Sequence, residues 1–314
     1  MENVFDKAIF HGCLIKGDVA GAMQYLAHFP EQAELYQRYV SVFEKEAYPA
    51  LSADARLNAI LTIYQKYYRD VFYLHRDAEQ AAEAMKDRFR RLFGLDDADM
   101  QLGALEKGPV AGAFEEKGYH FLGGKTGGHW GPYIWKTIES KTFEVELPDG
   151  RQPYLVRFLD GFLSKGWYDA VSFGAISTGG WTDGDGVIQC VKSSYDLEAE
   201  SFTVSLLKHE AQHVMDLSRY PHMSSEELEY RAKLVELIYS SKRNLLRQFI
   251  QEADDSEEDN GHSLAADRIK KGFENKLRMD GGQLSNLSIA DIQRVSKALF
   301  AESNEAMRTE YAGD

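Results

Sequence analysis

The stretch Leu206-Leu207-Lys208-His209-Glu210-Ala211-Gln212-His213-Val214-Met215 constrains this chain more than any other part of it. No proline or glycine falls between Glu198 and Tyr220, so the segment can run as a helix. On a helix His209 and His213 stand one turn apart on the same face, where two neutral imidazoles can hold one ion. Glu210 follows the first histidine directly and can reach a water bound to such an ion, the position of a general base. Val204, Leu207, Ala211, Val214 and Met215 give the helix an apolar side that can enter a core. Zinc held this way needs a third protein ligand and one open position, which other parts of the chain must supply.

The first hundred residues read as helical. Apolar residues recur at helical spacing in Val40, Phe43 and Ala47, and again in Leu57, Ile60, Leu61, Tyr64 and Tyr68. Pro30 and Pro49 break the pattern, Ser52 is a candidate N-cap, and a helix through Phe89 should end near Gly94. From about residue 103 the character changes to glycine clusters and short β-prone runs: Thr142–Leu147, Tyr154–Phe158, Ala170–Ile176 and Val187–Val191. Pro148-Asp149-Gly150 predicts a turn that makes 142–158 a hairpin. Leu159–Lys165 reads as a short helix ending at Gly166, and Thr178–Gly186 as a loop. Gly123-Gly124-Lys125-Thr126 lacks the upstream glycine and following helix of a phosphate loop. Asp183-Gly184-Asp185-Gly186 lacks the later glutamate of a calcium loop and reads as a tight turn. Helices resume after Glu198: Phe202 to Ser218, then Glu226 to about Ile250 behind a Ser224 or Ser225 cap, then Ser263–Leu277 and Ser288–Arg308. The acidic run from Glu252 to Gly261 reads as an exposed linker.

The helix after Pro221 offers Glu226, Glu227, Glu229 and Glu236 as third ligands. A helical hairpin would bring its first turns beside the histidines, and Ala232, three residues after Glu229, would let the two helices approach closely. HExxH followed on the next helix by glutamate in the setting Glu229-Tyr230-Arg231-Ala232 resembles the gluzincin branch of zinc metallopeptidases, the thermolysin-like zincins. The resemblance covers roughly residues 170–270. It implies one zinc ion on His209, His213 and Glu229, Glu210 as general base, and a downstream histidine or tyrosine that stabilises the oxyanion. His262 is the best candidate for that donor, with Tyr239 and Tyr220 in reserve. The branch also implies a sheet ahead of the motif helix whose edge strand binds an extended substrate; Ala170–Ser177 or Val187–Val191 would serve, with Gly174, Gly179 and Gly180 allowing close approach. One departure is plain. Lys233 stands where an aspartate would orient a ligand histidine, which leaves Asp216 as a candidate for that task. His222 is a weaker competitor for the third ligand, and no HxxGxxH continuation follows His213.

The expected fold is α+β, mostly helical, with a small β-sheet packed against the motif helix. Residues 1–102 would form a helical N-terminal region and 103–314 a zincin-like catalytic region. A formal net charge of −14 and a pI near 5.2 argue against nucleic acid or an anionic membrane as partner. The first residues lack the basic and apolar pattern of a signal peptide, and Cys13 and Cys190 have no metal-ligand spacing, which points to free thiols in a cytoplasmic setting. The expected activity is zinc-dependent hydrolysis of a peptide or protein substrate. A zinc hydrolase of another amide, a structural-metal protein, and a zincin scaffold retired to binding or regulation remain open.

Overall fold

The computed structural model describes residues 4–96, 100–182, 185–253 and 260–311. Asp183 and Gly184 of the expected turn and residues 254–259 of the acidic run lie outside the described residues. The chain is α+β and mostly helical, with small sheets. It forms two compact units: residues 1–138 with 159–178, and residues 139–158 with 179–314.

The first unit is built on the predicted N-terminal helices. Ala55–Tyr68 is capped by Asp54 rather than Ser52, and Ala78–Phe93 starts at Asp77 and ends where Gly94 turns left-handed at φ 64°. Three short π-helical turns follow or join helices at Val40–Glu44, Arg69–Tyr73 and Glu106–Val110. Residue 102 is no boundary. Leu102, Leu105, Val110 and Phe114 pack into one core with Tyr64, Met85 and Phe89, and Ile134, Trp167 and Val171 complete it. The Gly-rich motif is a β-hairpin of Lys125–Thr126 and His129–Trp130. Gly127 and Gly128 take φ 54° and 79°, as a two-residue hairpin turn needs.

Two local expectations fail in this unit. Ala170–Ile176 is no strand: Gly166–Val171 is a helix, after which the Ser172 hydroxyl accepts from the Ile176 N–H at 2.9 Å and closes a turn. The Tyr39 hydroxyl donates to the Val171 carbonyl at 2.7 Å, so tertiary contact overrides the β-prone composition. Leu159–Lys165 is no helix either, since Asp160 ends a long strand and Ser164–Lys165 pairs with Tyr133–Trp135.

The second unit carries the motif. Its four-stranded sheet has the order Thr137–Leu147, Gly150–Asp160, Ile188–Val191, Gly180–Thr182. The hairpin buries Val145, Leu147, Tyr154, Val156 and Phe158 at alternate positions, as a sheet with one face on a core does. Gly180–Thr182, expected as loop, is the edge strand, antiparallel to Ile188–Val191. The strand at 187–191 is therefore interior and cannot be the substrate-facing edge.

Helices make up the rest of this unit. The expected helix from Phe202 breaks into Glu200–Thr203 and the motif helix Leu207–Arg219. An unbroken helix would turn Val204 nearly opposite to Phe202, yet Phe202, Val204 and Leu206 are all buried. The next helix, here the ligand helix, runs Ser225–Tyr239 behind its Ser224 cap. It ends early because the Glu200 carboxylate accepts from the Ser240 hydroxyl and the Ser241 N–H, both at 3.1 Å. Buried on nearly all sides, the ligand helix packs against the motif helix, against Gly261–Leu277 and against Ile289–Glu310.

Candidate metal centre

His209, His213 and Glu229 converge as the spacing predicts, each offering a ligand atom within 4.8 Å of the others. The two Nε2 atoms are 3.0 Å apart. A Glu229 carboxylate oxygen lies 3.5 Å from His209 Nε2, and the other lies 3.3 Å from His213 Nε2. A tetrahedral ion with bonds of about 2.0–2.1 Å has ligand-to-ligand edges of about 3.3 Å. The triangle fits such an ion without moving a side chain far, and the N,N,O donor set suits zinc.

The triangle also fits electrostatically. Burial alone would lower the pKa of His209, but hydrogen bonds and charge from Glu229 and Glu236 outweigh it and push the imidazole up to about 10. Partial burial would raise the pKa of Glu229, yet its contacts with His209, His213 and His262 hold it far below the usual carboxylate range. The site therefore demands positive charge, which a proton or a metal cation can supply.

Glu236 fills the role that Lys233 left open. His209 Nδ1 lies 2.8 Å from Glu236 Oε1, which fixes the tautomer that turns the Nε2 lone pair toward Glu229. Glu236 stands two helical turns after Glu229 and faces the same way. Lys233 points elsewhere, with Nζ 2.8 Å from Glu252 Oε2 and over the Phe249 ring. Asp216 does not orient a histidine. It is fully buried in an ion pair with the equally buried Arg231, at 2.8 Å. Arg231 donates onward to Ser303, Ser303 donates to Glu227, and Arg268 pairs with Glu227. This chain of contacts knits four helices and sets the register of Glu229 against the motif helix.

Glu210 is buried, and Thr182 on the edge strand donates to its Oε2 at 2.6 Å. Thr182 carries no sequence signal, since it lies 28 positions away in a stretch read as loop. Tyr195 was missed too: burial pushes its hydroxyl up to about 12, and the nearby carboxylates of Glu210 and Glu236 act in the same direction. Gly179 and Gly180 serve packing, since a Cβ on Gly179 would strike the Tyr195 ring at 2.8 Å and one on Gly180 the Gln189 carbonyl at 2.5 Å.

His262 does reach the cluster, with Nδ1 2.9 Å from Glu229 Oε2. Its side chain is 57% exposed, so it approaches from the solvent side. It sits in the first turn of Gly261–Leu277, whose Asn260 cap accepts from the Ser263 N–H. Gly261 makes the approach possible: a Cβ there would lie 3.1 Å from the Ser225 backbone and collide with its hydroxyl. His222 is exposed and outside the cluster. Tyr220 packs on Tyr311 and Tyr239 under Lys208, so neither reserve donor is engaged at the triangle. On the motif helix, His213 Nδ1 and both amide atoms of Gln212 are buried and have no hydrogen-bond partner among the described residues. A water could serve the first; nothing in the structure explains the second.

No protein family matches this chain, and neither the curated proteins nor the solved structures contain a significant match to it. The functional reading therefore rests on the site's own chemistry.

Proposed function

We propose that this chain is a zinc-dependent peptidase with a zincin-like catalytic unit, acting on a peptide or protein substrate in the cytoplasm. The observation that carries the reading is the His209–His213–Glu229 triangle at tetrahedral spacing, with Glu210 following His209 and tied to the sheet edge by Thr182. Bound by these three residues, zinc would acidify a water and polarise a carbonyl. Glu210 takes the water's proton and later delivers it to the leaving amine. Glu236 holds the His209 ring in place through both steps. His262, exposed beside Glu229, donates to the oxyanion as it forms. Gly180–Thr182 supports a peptide as substrate, because an edge strand next to the base can pair with an extended backbone. Among the described residues no helix is long and apolar enough to cross a membrane.

Metal analysis of the purified chain, with and without Glu210→Gln, tests this reading. One zinc per chain in both forms is expected, with peptide hydrolysis lowered about 10²–10⁴-fold in the variant, while His213→Ala loses the metal. Full activity in Glu210→Gln on an identified substrate would sink the mechanism. Absence of bound zinc after reconstitution would sink the class.

A further inference from the structure

The first unit contains a cavity of about 310 Å³ that the metal reading does not use. That size is at the lower end of small-molecule pockets. Its walls are apolar where Phe43, Leu163 and Phe173 contribute. The π-helical turn Val40–Glu44 supplies Phe43. Phe173 holds φ 52°, a left-handed conformation that a bulky side chain adopts only when its surroundings impose it.

The polar groups of the cavity are incompletely matched. Lys165 and Asp169 pair at 3.0 Å and cancel in charge. Arg38 stacks over the Phe173 ring at 4.0 Å and forms no ion pair among the described residues. Stacking covers one face of a guanidinium and leaves its N–H edge available, the edge that grips a carboxylate with two parallel bonds. Tyr68, 3% exposed, lines the cavity, and its hydroxyl is buried without a partner. Gln65 lines it as well, and its Oε1 is buried and lacks a donor.

We propose that this cavity is a binding site for a small monocarboxylate with an apolar body. The carboxylate meets Arg38 and balances the cavity's single net positive charge. The apolar body lies against Phe43, Leu163 and Phe173. The site belongs to a different unit from the histidine cluster, so the proposal does not rest on the peptidase reading.

Indole-3-acetate carries both features and serves as the probe. Tryptophol and tryptamine keep the same ring and replace the carboxylate by an alcohol and an amine. Titration calorimetry on the full-length chain should show saturable one-to-one binding of indole-3-acetate. Tryptophol should bind about tenfold more weakly or worse, a difference of about 1.4 kcal/mol, and tryptamine more weakly still. Arg38 is exposed, so Arg38→Gln should leave the melting temperature unchanged and reduce indole-3-acetate to the level of tryptophol. Equal binding of the three compounds, unchanged binding in Arg38→Gln, or no saturation at millimolar indole-3-acetate would each overturn the proposal.

Discussion

Glu236 decides how well His209 can serve as a ligand. Its carboxylate accepts a hydrogen bond from the Nδ1–H at 2.8 Å, which directs the Nε2 lone pair at Glu229. Loss of such a partner typically costs ten- to a hundredfold in metal affinity. Glu236→Ala should therefore weaken zinc binding by about that factor in a competition titration against a chromophoric chelator. Glu236→Gln, which can still accept from Nδ1, should weaken it less. An affinity unchanged in both variants would reduce Glu236 to a packing role. At this scale the sequence was informative where chemistry is local. His209, Glu210 and His213 share one helical turn, and Glu229 lies in the next helix, so spacing alone brings them into consideration. Glu236 was visible only as one of several acidic residues, because its distinction depends on which face of the ligand helix meets the histidines. Thr182 had no signal at all, since its role depends on sheet register.

Among the elements, Gly261–Leu277 is positioned by a glycine contact rather than by a side chain. Gly261 lets the helix start against Ser225, and His262 is thereby delivered to Glu229. Gly261→Ala places a methyl 3.1 Å from the Ser225 backbone, so the helix start must shift. We expect a destabilisation of about 1–3 kcal/mol and a fall in turnover with zinc content retained, because the three proposed ligands sit on other helices. His262→Ala should reproduce the loss of turnover without the loss of stability, since its side chain is largely exposed. If His262→Ala has wild-type kcat, the oxyanion role is wrong. The Asp216–Arg231 pair works at the same scale from inside the bundle. Both residues are fully buried, and removing one partner strands the other charge. Asp216→Ala should cost about 3–5 kcal/mol in urea unfolding, far more than the loss of a surface charge would. Helix starts were legible where Ser224 and Ser288 cap them, whereas the Asp54 cap was read two residues early at Ser52. Helix breaks were not, because Val204 and Ser240 are set by core burial and by the distant Glu200.

The whole molecule is two units with separate cores, and the chain passes between them after residues 138, 158 and 178. No composition shift marks these points, since each unit is assembled from discontinuous segments; the change of character near residue 103 falls inside the first unit. Separate cores predict separate unfolding transitions that respond to different agents. Metal bound at His209, His213 and Glu229 stabilises only the second unit, by about 4 kcal/mol when free zinc is a thousand times its dissociation constant. For a unit of this size that is roughly 10 °C, and a chelator should remove it. The first unit answers instead to pH through Glu106, which is 1% exposed. Burial raises its carboxyl from 4.5 to about 7, although the Tyr64 hydroxyl and the Gly124 N–H donate to it at 2.5 and 2.8 Å. Between those two values the folded unit binds more protons at this position than the unfolded chain. Its stability therefore falls as pH rises from about 4.5 to 7 and stays lower above, by about 3 kcal/mol from this group. Glu106→Gln keeps an acceptor for Gly124 and has no charge to bury, so it should flatten this dependence and raise the first unit's melting temperature at pH 8. Scanning calorimetry on wild type, Glu106→Gln and His213→Ala, each with zinc and with chelator, assigns the transitions. A single transition moved equally by chelator and by the Glu106 substitution would show that the two cores do not unfold independently.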